Sequence, residues 1–222
     1  MTAEPRESWT IVDDYLARTL FEHDPALSGV LTASVEAGMP QIHVSPLQGR
    51  LLQVLAATLG VRRILEIGTL AGYSTICLAR GMAPGGRLVT LEYEPAHAEV
   101  ARGCIGRAGL SGLVDLRVGR AIDLLPALER EGPFDLTFID ADKSSSPEYV
   151  RWAIRLSRPG SLIILDNVVR DGKVVDESTT DANVRGIRDA LAIMGSHEGL
   201  TSTALQTVGC KGHDGFAIAR VN

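Results

Sequence analysis

The sequence predicts an α/β fold: a doubly wound, mostly parallel seven-stranded sheet with helices before it and an antiparallel hairpin at the C-terminal end. Two observations carry this expectation. From Arg62 onward, short runs rich in Val, Ile and Leu alternate with segments of helical period, the pattern of strands buried between two helical layers. Near the end, two strand-like runs follow each other closely enough to pair as a hairpin. A chain of 222 residues fits one domain, expected as an N-terminal helical cap over residues 1–60 on an α/β core over 61–222.

The elements follow in order. Residues 5–20 and roughly 25–37 mix acidic and apolar residues at helical spacing. In "SPLQGRLLQVLAATLG", Ser45 is placed to cap a helix, Pro46 suits its first position and Gly60 its stop. Then "RRILEIG" reads as a strand and "GYSTICLARGM" as a helix. "GRLVTLE", "LVDLRVG" and "FDLTFIDAD" are strands, separated by the helices "PAHAEVARGCIGRAG" and "AIDLLPALERE". The helix "SPEYVRWAIRLSR" leads to the strand "GSLIILDN". A polar loop, the helix "DANVRGIRDALAIMGS" and the hairpin strands "LTSTALQTVG" and "DGFAIARV" complete the chain.

Composition narrows the function. A net charge of -5 argues against nucleic acid or an anionic membrane as the main partner. No run of eighteen apolar residues is present, and "MTAEPRESWT" is polar and acidic, so a cytoplasmic location is expected. Cys77, Cys104 and Cys210 lack metal-ligand or redox spacing. The histidines show no ligand pattern either: His23, His97 and His197 read as helix-surface residues, and His43 as a loop residue beside the Ser45 cap.

In such sheets ligands bind beyond the carboxyl ends of the strands. The residues there are Glu66, Gly68, Glu92, Gly119, Asp140, Asp142, Asp166 and Asn167, and five of these eight are acids. The first turn, within "LEIGTLAGYST", lacks the glycine-x-glycine-x-x-glycine fingerprint of dinucleotide binders, and Glu66 would oppose a pyrophosphate at the helix N-terminus. A ligand with a cationic end and no phosphate suits it better. S-adenosylmethionine, with its ammonium and sulfonium, is such a ligand, and Gly68 and Gly72 would let the backbone approach it. The plain alternative is a tight turn with a solvated Glu66. Glu92, ending the second strand, is placed for the ribose hydroxyls of a nucleoside, and Gly119 and Ala121 leave room for a flat base.

"FIDADK" and "ILDN" are the stronger signal. Asp140, Asp142 and Lys143 follow the fourth strand, and Asp166 and Asn167 the fifth. Oxygen-only donors with positions left for water or substrate suit a hard divalent cation, Mg²⁺ first, with Ca²⁺ or Mn²⁺ as alternatives. Lys143 beside them is either a surface lysine balancing the acids or a general base.

"LEIGTLAGYS", "VTLE", "FIDADK" and "LDNVVRDG", in this order, closely resemble the cation-dependent O-methyltransferases of the caffeoyl-CoA and catechol type, a class I, Rossmann-like methyltransferase family. The resemblance runs from about Ile42 to "KGHDGFAIARV". It implies that Asp140, Asp166 and Asn167 bind the metal. Val44, Glu66, Gly68, Thr69, Gly72, Ser74, Glu92, Ala121, Asp140 and Asp142 would hold S-adenosylmethionine, and Lys143, with Asp140, would be catalytic. The implied acceptor is a catechol-like small molecule, and the implied assembly a homodimer whose N-terminal helices help form the acceptor pocket. Two departures stand out: Ser145 and Ser146 replace an asparagine and a tyrosine common in bacterial relatives, and His213 replaces a common tyrosine. The polar stretch from Val168 to Asn183 reads either as a lid bordering the pocket or as a plain solvated loop. The alternatives are a nicotinamide-dependent oxidoreductase, a metal-independent methyltransferase and a non-catalytic relative that retains the fold.

Overall fold

The computed structural model describes residues 5–222; residues 1–4 of the polar N-terminal stretch lie outside the described residues. Three helices come first: α1 (Pro5–Leu20), α2 (Pro25–Glu36) and α3 (Pro46–Leu59). They are followed by β1 (Arg63–Ile67), α4 (Tyr73–Gly81), β2 (Arg87–Glu92), α5 (Pro95–Arg107), β3 (Val114–Val118) and the short α6 (Ala121–Leu124). Then come β4 (Phe134–Ile139), α7 (Ser146–Arg155), β5 (Ser157–Asp166), α8 (Ala182–Ser196), β6 (Leu200–Gly209) and β7 (Gly212–Val221).

The strands form one seven-stranded sheet in the order β3-β2-β1-β4-β5-β7-β6. The first five in that order are parallel, and β7 is antiparallel to both β5 and β6. The expected α/β class, strand number and closing hairpin are therefore all present. Because β6 runs parallel to β5, the β6–β7 turn lies at the same edge as the carboxyl ends of the parallel strands.

The alternation of side chains along each strand divides the interior between two faces. Ile64, Leu136, Phe138 and Ile164 pack with α2, α3, α4 and α5 residues such as Val30, Leu52, Ile76 and Ile105. Leu65, Ile67, Ile139, Ile163 and Leu165 pack on the opposite face with Leu125, Val150, Ile187 and Met194. Only the central strands are covered on both sides. The edge strand β3 is half-buried, and β6 is exposed along nearly its whole length.

Local chemistry sets the helix ends. The Ser45 hydroxyl accepts from the Gln48 N–H at 3.1 Å, Pro46 gives up an N–H that the first turn cannot use, and Gly60 stops α3 at φ 60°. Two expected helices change. The segment 121–131 is one α-turn, Ala121–Leu124, followed by a 3₁₀ stretch, Leu125–Arg130, because Pro126 cannot donate to an α ladder. The helix starting at Ser146 ends at Arg155, since Ser157 and Arg158 already belong to β5.

Gly68 marks a tight point of the fold. Its φ of 100° is one that side chains disfavour, and a Cβ there would collide with the Asp140 backbone carbonyl oxygen. Gly68→Ala is therefore expected to lower unfolding stability by about 3 kcal/mol, from overpacking and an unfavourable backbone together. Urea titration of the two proteins checks this; a loss below about 1 kcal/mol would contradict the packing described.

Candidate active site

The carboxyl ends of the parallel strands, the segment 40–48 and the β6–β7 turn enclose a cavity of about 1010 Å³. One small ligand typically occupies a pocket of roughly 300–1,000 Å³, so the space suits two molecules side by side. Val44, Gly68, Thr69, Ser74, Glu92, Ala121, Asp140, Asp142, Lys143, Asp166 and Asn167 all line it. Glu66 and Gly72 do not. Gly72 sits behind the wall as the N-cap of α4 at φ 91°, facing Ala101 and Ile105 of α5.

Glu66 is not solvated. It is fully buried and accepts hydrogen bonds from the hydroxyls of Ser74 at 2.6 Å, Thr75 at 2.5 Å and Thr90 at 2.7 Å. Thr90 stands beside it by strand register, and Ser74 and Thr75 come from the first turn of α4. Burial pushes the carboxyl up from the ordinary 4.5 to about 7; the three hydroxyls oppose this and nearby Asp140 adds to it. Its visible task is to hold Ser74, which does reach the cavity.

Glu92 holds the neighbouring turn. One carboxylate oxygen accepts from the N–H groups of Thr69 at 3.2 Å and Leu70 at 2.7 Å, and the other from Glu94 at 2.9 Å. That leaves about one acceptor position for a ligand hydroxyl, since a carboxylate offers roughly four. The His97 ring lies 3.7 Å from the same carboxylate and also lines the cavity, unlike the surface position expected for it. Gly119 and Ala121 form a small-residue wall at this end.

At the centre, the Lys143 ammonium donates to Asp140 at 2.6 Å and is almost fully buried. Asp166 is 3% exposed. Burial, then the Asp140 charge, push its carboxyl well above the usual range, while Lys143, the Asn167 N–H and the Gln48 side chain oppose the shift. Asn167 adopts φ 58°, a left-handed conformation that asparagine tolerates better than most residues. Asp142 is held apart from this group by the Tyr149 hydroxyl, which donates to it at 2.6 Å.

The donor chemistry fits a hard divalent cation: two carboxylates and an amide follow adjacent strands, one carboxylate is deeply buried, and a single ammonium opposes their charge. The described residues contain no cluster of three or more His, Cys, Asp or Glu that would hold an ion without other ligands. Asp140, Asp166 and Asn167 would therefore need water or substrate oxygens to complete a shell.

Several residues of the site were not legible in sequence. Thr75, Thr90 and Tyr149 act by anchoring acids, and Asp214 accepts from the N–H groups of Val169 and Arg170, both at 3.0 Å. Of the stretch from Val168 to Asn183, only Arg170 reaches the cavity wall. Ser145 lines the cavity, whereas Ser146 is buried behind it with its hydroxyl unpartnered. His213 does not line the cavity; it bonds to Gln206.

The profile of the O-methyltransferase family matches residues 19–195. Catechol O-methyltransferase of Niastella koreensis is 53% identical over 95% of this chain and 96% of its own. Catechol O-methyltransferase of Mycobacterium tuberculosis is 54% identical over 95% of this chain and 94% of its own. The structure of the O-methyltransferase from Bacillus cereus in complex with SAH superposes with a TM-score of 0.96 at 50% identity, covering 97% of this chain and 99% of that one. The chain belongs to the O-methyltransferase family. It is an S-adenosylmethionine-dependent O-methyltransferase with the Rossmann-like class I fold.

Because the Glu66 carboxyl is raised in the folded state, the fold binds its proton more tightly than the unfolded chain does. Stability should then fall as pH rises from about 4.5 to about 7 and level off above. Asp166 titrates in the same window, so the comparison is with Glu66→Gln, which should flatten the profile by up to roughly 3 kcal/mol. Urea unfolding of both proteins from pH 4.5 to 8 checks this; parallel profiles would overturn the assignment.

Proposed function

We propose that this enzyme transfers a methyl group to one hydroxyl of a catechol-like small molecule, with a divalent cation, Mg²⁺ foremost, bound at Asp140, Asp166 and Asn167. The supporting observation is the position of this oxygen cluster and Lys143 midway along a cavity large enough for cofactor and acceptor together. The names of the catechol O-methyltransferase relatives point the same way.

S-adenosylmethionine would supply the methyl carbon as an electrophilic sulfonium substituent. A divalent cation would supply Lewis acidity toward two vicinal oxygens. The chain's own residues do the rest. Glu92, Ala121 and Gly119 form the end suited to a nucleoside, and Gly68, Thr69, Ser74 and Asp142 the middle. Val44 also lines the cavity. Glu66 and Gly72 support this surface from behind. Lys143 now donates to Asp140, so it can take the acceptor's proton only when neutral, with the Asp140 carboxylate engaged elsewhere. Positioning within this wall, more than covalent chemistry by the protein, should supply the rate.

The N-terminal helices would serve as a cap over the acceptor end. The family resemblance supports a homodimer, the net negative charge argues against nucleic-acid or anionic-membrane partners, and the free thiols Cys77, Cys104 and Cys210 fit a reducing cytoplasm. A metal-independent methyltransferase is the second reading, favoured by the Lys143 ammonium, which already pairs with Asp140 at 2.6 Å.

Methyl transfer to a panel of catechols, with Mg²⁺ and with EDTA, decides between these readings. Turnover should vanish with EDTA and return with Mg²⁺; turnover indifferent to EDTA would establish the second reading. Asp140→Ala should abolish the EDTA-sensitive activity while calorimetry still shows S-adenosylhomocysteine binding. Lys143→Met should lower kcat by about 100-fold or more if the lysine is the base; an unchanged kcat would remove it from the chemistry.

A further inference from the structure

The turn after β5 starts at Asp166 and Asn167 and continues through Asp171. Asn167, Arg170 and Asp171 have φ of 58°, 57° and 55°, and Gly172 follows at 81°. Among the described residues only one other non-glycine residue, Leu70, has a positive φ. Side chains disfavour this conformation, so it persists only where the surroundings fix it. Here the surroundings are the first residues of β7. The Val168 N–H donates to the Gly215 carbonyl at 3.0 Å, and the Asp171 N–H to the His213 carbonyl at 3.1 Å. Between them, the N–H groups of Val169 and Arg170 both donate to one carboxylate oxygen of Asp214, each at 3.0 Å. Four successive N–H groups are thus taken up by three residues.

The register of β5 on β7 ends at the Asp166–Phe216 pair, so the Asp214 side chain extends the grip of β7 past the end of the regular ladder. Gly215 lets the turn close in: a Cβ there would collide with the Leu205 carbonyl oxygen and press on the Val169 side chain. The turn after β1 is held by the same device. One Glu92 oxygen accepts from the N–H groups of Thr69 and Leu70, and Leu70 is the remaining residue of positive φ. Leu70 and Arg170 both line the cavity. Glu92 secures the end suited to the nucleoside, and Asp214 the end that holds the oxygen cluster. Without Asp214 the backbone beyond Asn167 could relax, and the left-handed φ that sets the direction of the Asn167 amide would be free to change. Groups that orient metal donors in this way commonly govern metal affinity without touching the ion.

We infer that Asp214 is a positioning residue for the divalent cation: by holding the N–H groups of Val169 and Arg170 it fixes the turn that starts at Asp166 and Asn167. This rests on the cation reading above and adds to it a residue outside the donor set. The grip needs an acceptor oxygen at one place, not a negative charge. Asp214→Asn keeps such an oxygen and removes the charge. Asp214→Glu keeps the charge and carries its oxygens one methylene further out.

Mn²⁺ titration followed by electron paramagnetic resonance, with S-adenosylhomocysteine bound, tests this on the full chain. Asp214→Asn should bind Mn²⁺ within about twofold of the wild type, and Asp214→Glu about tenfold or more weaker, as for residues that orient metal donors. In turnover, Asp214→Glu should raise the Mg²⁺ concentration for half-maximal rate by a similar factor, with kcat at saturating Mg²⁺ and KM for S-adenosylmethionine little changed. Calorimetric binding of S-adenosylhomocysteine shows that each variant is folded. Asp214→Ala, which removes the oxygen without adding bulk, should weaken Mn²⁺ binding in the same way and decides the matter if the longer side chain does not fold. Unaltered Mn²⁺ affinity in Asp214→Glu or Asp214→Ala, or an equal loss in Asp214→Asn, would overturn the inference and leave the cation reading standing. A wild type that binds S-adenosylhomocysteine but no Mn²⁺ would sink the cation reading, and this inference with it.

Discussion

Gly68 lies directly against the backbone carbonyl of Asp140, with no room for a side chain between them. That contact joins the turn after β1 to the turn after β4. Backbone hydrogen bonds extend the join: Asp140 N–H to Ile67, Gly68 N–H to Leu91 and Gly119 N–H to Glu92. Four strand ends are thus tied into one rigid edge. The surface suited to the cofactor and the acid cluster beside it share this frame, so neither can shift without the other. Methyl transfer requires that kind of coupling, because donor and acceptor must be held in line.

The acids of the site fall into two groups by their partners. Glu66, Glu92, Asp142 and Asp214 are satisfied by hydroxyl or N–H donors of nearby turns and helices. Such acids cost little to bury and serve as fixed points. Asp140 and Asp166 share only an ammonium, one N–H and the Gln48 side chain between them. Carboxylates left so poorly compensated are where chemistry is expected.

Most of the fold was legible because each element carries its own local signal. Ser45, Pro46 and Gly60 delimit α3 from sequence alone, and the Val, Ile and Leu runs mark the central strands. The break in 121–131 was also written in the sequence, as Pro126, but the helical spacing around it masked the change to 3₁₀. The exposed edge strand β6 was harder to foresee, since a strand's neighbours depend on sheet order and not on its own residues.

The sequence by itself determined the α/β class, the acid-rich strand ends and the resemblance to O-methyltransferases, because these depend on residue type and order along the chain. Only the tertiary structure decided which of those residues share a cavity. It placed Glu66 behind the wall and not on it, because strand register turns its side chain toward Thr90 and the first turn of α4. It also brought Arg170 and Asp214, forty-four residues apart, together at one cavity. That meeting depends on β7 pairing antiparallel with both β5 and β6, which returns the hairpin turn to the edge where β5 ends.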